Sequence, residues 1–229
     1  LVMREKALAV KKSGILEYFE PKQTINDIGG LENLKGWIKM RSKAFSKRAR
    51  EFGLPVPKGA LLVGAPGCGK SLSAKVASSI LGLPLLKFDV GRVFGGLVGD
   101  SERGMRTAIA TAEAVGSCVL WMDEIDKLFA GMSGGSSGDG GTGARVFGSF
   151  ITWLSEKTTP CFVIATANKI ETLPPELLRK GRFDEIFFVG LPSKAEREQI
   201  FTVHLRNKGQ TLPDGTVQEC ARLSEGFSG

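Results

Sequence analysis

Short apolar segments alternate along the chain with longer segments of amphipathic character. The apolar segments contain few polar residues, which is typical of strands that are buried on both faces of a parallel sheet. They cover residues 60–63, 84–90, 118–122, 161–165 and 185–189. The spacing of apolar positions between them predicts helices over residues 70–81, 101–115 and 144–157. The pattern therefore predicts an α/β fold in which helices flank a five-stranded, mostly parallel sheet.

The strand pattern stops after Pro192. Residues 193–207 and 215–223 have helical spacing, and the chain ends at residue 229 before another element is complete. We expect residues 24–192 to form a large α/β subdomain, and residues 193–229 to begin a small helical lid subdomain that is truncated here. Residues 1–23 are expected to be a linker from a preceding N-terminal region.

Composition narrows the class of protein without identifying it. The chain has 229 residues, of which 42% are hydrophobic, as in a globular domain with a core. No apolar run reaches the roughly 18 residues of a membrane helix, so we expect no membrane partner. The four cysteines lie far apart without a Cys-x-x-Cys pair. This favours free thiols in a reducing compartment over a zinc site or a disulfide framework.

The positive charge is concentrated near the N-terminus. The formal net charge is +7, and residues 1–60 contain 13 Lys or Arg against 6 Asp or Glu. Four lysines recur at four-residue spacing, which predicts one helical stripe. They are Lys35, Lys39, Lys43 and Lys47. A solvated helix face is the simpler interpretation of this stripe, and a nucleic-acid or anionic-membrane surface is the alternative.

A glycine-rich segment covers residues 131–143. Seven of these 13 residues are glycine, and most of the others are Ser, Asp or Thr. Such a segment buries too little apolar surface to fold on its own, so we expect a mobile loop. Whether this loop has a function or only connects its neighbours is left open by its composition.

A phosphate-binding motif follows the first predicted strand. Residues 64–71 read Gly-Ala-Pro-Gly-Cys-Gly-Lys-Ser, which fits Gly-x4-Gly-Lys-[Ser/Thr] between a strand and a helix. Glycines let the backbone N–H groups approach the phosphates of ATP, and the helix N-terminus adds positive potential. We expect Lys70 to reach the β- and γ-phosphates and the Ser71 hydroxyl to bind Mg²⁺. The residues predicted to bind nucleotide here are Pro66, Gly67, Cys68, Gly69, Lys70, Ser71 and Leu72, with Cys68 contributing its backbone.

Two carboxylates end the strand predicted over residues 118–122. Asp123 and Glu124 follow it directly, at the edge of the sheet where open α/β folds bind their ligands. Asp123 is suited to the magnesium shell, and Glu124 can polarise the attacking water as a general base. Together with the phosphate motif, this pair predicts magnesium-dependent hydrolysis of ATP. Asp126 is interpreted as a local structural residue.

In this order and context, the motifs resemble those of the AAA family of ATPases, and the resemblance covers residues 24–229. It implies a P-loop NTPase fold with ATP and Mg²⁺ bound. Asn168 resembles the family's residue that orients the attacking water. Arg179 and Arg182 resemble arginines that reach the γ-phosphate of a neighbouring subunit. The residues that resemble those beside the adenine and ribose are Asp27, Gly29 and His204.

The resemblance also implies a homo-oligomer, for which we expect a hexamer. Leu97-Val98-Gly99 stands where remodelling members of the family have an aromatic loop that grips polypeptide. Leucine offers less contact area than an aromatic ring there. The expected function is therefore ATP hydrolysis coupled to remodelling of an unidentified protein partner. The alternatives are an ATP-dependent regulatory or assembly switch and a motor that acts on nucleic acid.

A narrower resemblance covers residues 85–102, with support from residues 146–148 and 152–154. These segments look like AAA proteins that are encoded by a hypothetical chloroplast reading frame and are also found in cyanobacteria. The likeness implies a longer protein with an additional N-terminal domain. It also implies a location in the plastid stroma or in the cytoplasm of a cyanobacterial-type cell.

Overall fold

The computed structural model describes residues 2–20, 23–89, 100–127 and 140–229. Two expectations lie outside the described residues. One is the Leu97-Val98-Gly99 loop, and the other is the glycine-rich segment up to residue 139. Nowhere in the described ranges does a helix combine the length and apolar character that crossing a membrane requires.

Strands of the described residues form one six-stranded sheet with the order β1-β3-β4-β5-β2-β6. The strands from β2 to β6 are parallel to one another, and β1 is antiparallel to β3. Because β2 lies between β5 and the edge strand β6, its carboxyl end places the phosphate motif one strand in from the edge of the sheet. The strands are β1 (Leu16–Phe19), β2 (Gly59–Gly64), β3 (Leu85–Phe88), β4 (Cys118–Met122), β5 (Cys161–Ala167) and β6 (Glu185–Val189).

Helices connect the strands and cover the sheet. They are α1 (Val2–Ser13), α2 (Glu32–Ser42), α3 (Lys47–Glu51), α4 (Lys70–Leu81), α5 (Asp100–Val115), α6 (Gly140–Glu156), α7 (Pro175–Leu178), α8 (Lys194–Asn207) and α9 (Thr216–Leu223). The α8 helix begins with a capping box. The Ser193 hydroxyl accepts from the Glu196 N–H, and the Glu196 carboxylate accepts from the Ser193 N–H. The helices predicted between and after the strands are thus confirmed, with ends that shift by a few residues.

Alternate residues of β2 face two different apolar layers. Leu61 and Val63 belong to the layer with α1, α5 and α6, whereas Ala60 and Leu62 belong to the layer with α2 and α4. All four are buried, as a central strand with helices on both faces requires. Fully burying a leucine of this kind contributes about 1.5–3 kcal/mol. The near-continuous apolar pattern of residues 60–63 is therefore explained.

The structure corrects the predicted number of strands from five to six. The additional strand, β1, lies within residues 1–23, which were predicted to be a linker, and its four residues pair with β3 from Leu16↔Phe88 to Phe19↔Leu85. A four-residue segment that contains Glu17 and pairs on one side only has no clear apolar period, which is why its sequence did not predict a strand.

The sheet edge at β6 also differs from the prediction of strands buried on both faces. β6 pairs with β2 only, and most of its residues are partly or fully exposed. Phe188 is 74% exposed. Its apolar sequence resembled a central strand, although it borders solvent along the edge.

The predicted lysine stripe is wrong. The α2 helix ends at Ser42 and a turn of 3₁₀ helix follows, so Lys35 and Lys47 do not lie on one continuous helix. Lys35 is buried, and its ammonium is 2.9 Å from the Glu32 carboxylate. Because one member is neutralised and another belongs to α3, the spacing of four residues did not produce a common basic face.

Candidate nucleotide-binding and catalytic site

The phosphate motif forms the connection from β2 to α4. Gly67 and Gly69 have φ angles of 81° and 83°, a left-handed conformation that favours glycine. A Cβ atom on Gly64 would lie 1.9 Å from the Val189 carbonyl oxygen, so only glycine permits the pairing of β2 with β6 up to the loop. The glycines that the motif demands are thus explained by backbone geometry.

Lys70 is buried at the first turn of α4. Its ammonium group donates to the carbonyl oxygens of Gly64 and Ala65, both at 2.7 Å. Burial lowers the pKa of Lys70, while the nearby Cys68 and Asp123 oppose that shift. The Lys70 ammonium faces only neutral carbonyl groups in these contacts, so a ligand with negative charge in the loop would bind it through stronger, charge-assisted hydrogen bonds.

Asp123 lies at the carboxyl end of β4 and accepts two side-chain hydrogen bonds. Ser71 Oγ donates to Asp123 Oδ1 at 3.0 Å, and Thr166 Oγ1 donates to the same oxygen at 2.5 Å. The Thr166 hydroxyl also accepts from the Glu124 N–H at 2.9 Å. Thr166, near the end of β5, therefore holds both acidic residues against β5, and Ser71 links Asp123 to α4.

The donor set of Ser71 and Asp123 fits a magnesium ion. Mg²⁺ in nucleotide sites is held by one or two protein oxygens together with phosphates and water. A hydroxyl and a carboxylate side by side match that requirement. In the part of the chain that the structure describes, no cluster of three or more His, Cys, Asp or Glu could hold a metal. The phosphates of a nucleotide would have to complete the shell.

Glu124 has a φ angle of 50°, unusual for a residue other than glycine, and hydrogen bonds to Thr166 from Glu124 N and Ile125 N hold this turn. Its carboxylate accepts from Asn168 Nδ2 at 3.3 Å, and its other oxygen lies 2.5 Å from the Lys127 ammonium. The hydrogen bond from Lys127 lowers the pKa of Glu124, partial burial opposes it, and Asn168 adds to the lowering. The carboxylate is therefore kept ionised and can accept a proton.

Two cavities meet at the phosphate loop. The smaller, of about 240 Å³, is lined by the loop and by Asp123, Glu124, Thr166 and Asn168. The larger, of about 430 Å³, lies between the segment around Gly29 and the α8 helix. The residues that line both cavities are Gly67, Gly69 and Leu72. A polar cavity joined to a larger, more apolar one suits a ligand with a charged end and a flat apolar end.

The larger cavity is bounded where Gly29 approaches α8. A Cβ atom on Gly29 would lie 2.7 Å from Ile200 N, so the two backbones are in close contact. The Gly30 N–H donates to Gln199 Oε1 at 2.8 Å, which fastens the same segment to α8. His204 also lines this cavity, from an exposed position on α8. Gly29 and His204, which are far apart in sequence, therefore border one space.

Asp27 borders the larger cavity, but its carboxylate is engaged elsewhere. It accepts hydrogen bonds from the Thr24 N–H and hydroxyl at 2.6 and 2.9 Å and lies 3.1 Å from the Arg206 guanidinium. The Thr24 backbone hydrogen bond is the main reason that the pKa of Asp27 is lowered. In this structure, the side chain joins the N-terminal segment to α8.

Arg179 and Arg182 line neither cavity. Arg179 is exposed after α7, and Arg182 is half-buried, with an Nε atom that has no hydrogen-bond partner among the residues described. The Asp184 carboxylate accepts from the N–H groups of Lys58 and Gly59 at 2.7 and 2.9 Å. The arginine segment is thus attached to the start of β2, at the end opposite the phosphate loop.

Two contributors to the site were missed by sequence reasoning. Thr166 was not predicted as a site residue. The register that pairs Met122 with Ala165 puts it across from Asp123, and this register is seen only in the structure. Lys127 was not considered, although a lysine three residues after an acidic residue is a recognised signal for an ion pair. Asp126, interpreted as a structural residue, is buried, and its Oδ1 has no hydrogen-bond partner within the described ranges.

The fold and the site together define a P-loop nucleoside triphosphatase. A mostly parallel sheet is covered by helices, a glycine loop joins β2 to α4, and two acidic residues follow β4. The family model for the ATPase family associated with various cellular activities (AAA) matches residues 60–191. The chain belongs to the AAA family of ATPases.

Curated relatives agree with this assignment. The uncharacterized AAA domain-containing protein ycf46 of Guillardia theta is 58% identical over 206 residues, which is 90% of this chain and 40% of the relative. The protein of the same name from Pyropia yezoensis is 51% identical over 230 residues, 100% of this chain and 46% of the relative. ATPase family protein 2 homolog of Caenorhabditis elegans is 32% identical over 233 residues, 96% of this chain and 31% of the relative. The chain spans less than half the length of these relatives.

Proposed function

We propose that this domain hydrolyses ATP with magnesium in a homo-oligomeric ring, for which we expect a hexamer, and couples hydrolysis to remodelling of a protein partner. The observation that carries the proposal is the convergence of Lys70, Ser71, Asp123 and Glu124 on one polar cavity, which no arginine of the described residues lines. These groups are the phosphate, magnesium and water ligands that phosphoryl transfer requires.

Each residue has a distinct task in this proposal. Lys70 binds the β- and γ-phosphates, and Ser71 and Asp123 hold magnesium, which offsets the negative charge of the phosphates. Glu124 orients the attacking water and accepts its proton. Asn168 holds the Glu124 carboxylate through the hydrogen bond of 3.3 Å and orients the same water.

Arg179 and Arg182 are proposed to act on the nucleotide of a neighbouring subunit. The exposure of Arg179 and the absence of both arginines from the walls of the two cavities support this assignment. An arginine supplied from a neighbour stabilises the charge of the transition state and contributes about 10³ to 10⁵ in rate. The isolated subunit is then an incomplete enzyme.

Mixing two inactive variants tests the shared site. Lys70→Ala subunits cannot bind nucleotide but still present Arg179, whereas Arg179→Ala subunits bind nucleotide but leave their neighbour without an arginine. Neither should hydrolyse ATP alone, and a mixture should regain part of the wild-type activity. The control is Lys180→Ala, which removes an adjacent exposed charge and should resemble the wild type. If sizing shows mixed assemblies and turnover stays at background at every ratio, the shared site is wrong.

Coupling to a protein partner is supported by membership of the AAA family and is tested by stimulation of the ATPase. Replacing Leu97 by Ala is expected to weaken stimulation of hydrolysis by a client protein. A switch without translocation would lose no stimulation.

The alternative of a motor that acts on nucleic acid was based on the predicted lysine stripe, which the structure does not contain. Salt-dependent binding of nucleic acid would be needed to support that alternative again.

The likeness to the proteins of Guillardia theta and Pyropia yezoensis supports a location in a plastid stroma or a cyanobacterial-type cytoplasm.

A further inference from the structure

The proposed general base is part of an ion pair within its own turn. The Lys127 N–H donates to the Glu124 carbonyl at 3.0 Å, which closes the turn that carries both side chains. The Lys127 ammonium then lies 2.5 Å from Glu124 Oε2. The side chains are 66% and 41% exposed, so the pair is not a buried structural element, and Glu124 itself lines the smaller cavity.

The second carboxylate oxygen of Glu124 also accepts a hydrogen bond. Glu124 Oε1 accepts from Asn168 Nδ2 at 3.3 Å, so each oxygen has a donor before any water is considered. A general base must accept a hydrogen bond from the attacking water and then its proton. An ammonium group in direct contact competes with that water for the same lone pairs.

We propose that Lys127 is a positioning residue that holds Glu124 in a resting orientation and thereby restrains basal ATP hydrolysis. The inference rests on the proposed role of Glu124 in this site and adds a restraint to it. Release of the ion pair frees Glu124 Oε2 for water, while Asn168 continues to hold the other oxygen. Exposed ion pairs are weak, so the restraint should be modest, about two- to fivefold in rate.

Steady-state kinetics of three variants test the restraint. Lys127→Met removes the charge but keeps most of the side-chain length, so kcat should rise about two- to fivefold with KM unchanged. Lys127→Arg retains a cation and should restore the wild-type rate. Lys169→Met, at an exposed lysine beside Asn168, should match the wild type. If Lys127→Met leaves kcat unchanged, lowers it, or changes KM alone, the proposal is overturned.

A readout that needs no turnover follows the amine itself. In the nucleotide-free protein, Lys127 should be acetylated more slowly than Lys169 because its ammonium is held by a carboxylate. Glu124→Gln should raise the reactivity of Lys127 toward that of Lys169. Equal reactivity of the two lysines in the wild type would show that the pair is not held and would overturn the proposal.

The two proposals fail in distinguishable ways. If the wild type has no turnover, or if turnover survives Glu124→Gln, the proposed function is wrong, whereas acetylation still reports on the ion pair. If turnover depends on Glu124 and Lys127→Met has the wild-type kcat, only the restraint is wrong. In the Glu124→Gln background, Lys127→Met should have no further effect on rate, because the base that it restrains is absent.

Discussion

The proposed nucleotide cleft has a phosphate side, around Lys70, Asp123 and Glu124, and a side for the nucleobase, around Gly29 and His204, which we call the base side. The two sides are built by different means. On the phosphate side, Ser71, Thr166 and Asn168 donate to the carboxylates of Asp123 and Glu124 over 2.5 to 3.3 Å. On the base side, the limits of the cavity are set by backbone, where Gly29 touches Ile200. The phosphate side therefore depends on the chemistry of individual side chains, and the base side depends on the distance between two segments.

The comparison predicts that single groups dominate the phosphate side, and Lys70→Ala should have the largest effect. It removes the only cation among the described residues that line the smaller cavity, so ATP affinity should fall by at least about 100-fold. Hydrolysis would be lost with binding. Calorimetry measures this, with Lys75→Ala on the same helix as the control. An unchanged affinity would show that the loop does not bind phosphates.

Glu124→Gln should separate binding from hydrolysis. The amide keeps the size of the side chain but cannot accept a proton, so turnover should fall about 10²- to 10⁴-fold while ATP still binds. Rapid-quench kinetics and a nucleotide-binding assay on the same preparation check the two halves of this prediction. Near-normal turnover would remove Glu124 from its role as base.

The phosphate side of the cleft could be predicted from the sequence, whereas the contacts that form the base side could not. Lys70, Ser71, Asp123 and Glu124 were predicted because phosphate and magnesium chemistry demands those residue types at fixed spacing after a strand, and the structure places them around one cavity. The contact that fastens Gly30 to Gln199 joins positions 169 residues apart, and no local pattern encodes such a pair. The fold class was likewise predicted from apolar periodicity. The short strand β1 was missed because its four residues have no clear apolar period and form a strand through pairing with β3.

Gly29→Ala probes the base side. The added Cβ would meet Ile200 N at 2.7 Å, so the segment must move away from α8 and the larger cavity must change shape. We expect a loss of about 1–3 kcal/mol in unfolding free energy and a weaker affinity for ATP and ADP alike. Thermal unfolding with and without nucleotide measures both. Gly36→Ala, where a Cβ atom meets nothing within 4 Å, is the matched control.

His204→Ala should have the smallest effect of the four. The side chain is exposed at the border of the larger cavity, so its contact with a nucleotide would be partly solvated. We expect a loss of less than about threefold in ATP affinity and no change in the affinity for inorganic triphosphate, which lacks a base. A loss that equals that of Lys70→Ala would mean that the base side also depends on one group.

The Asp184 carboxylate has a mechanical consequence. It is bound to the first residues of β2, two positions after Arg182, and β2 is held by hydrogen bonds from β5 and β6 along its length. A strand of six residues extends about 20 Å and resists bending when it is paired on both sides. β2 is therefore a stiff connection, and the arginine segment and the phosphate loop are attached to its opposite ends.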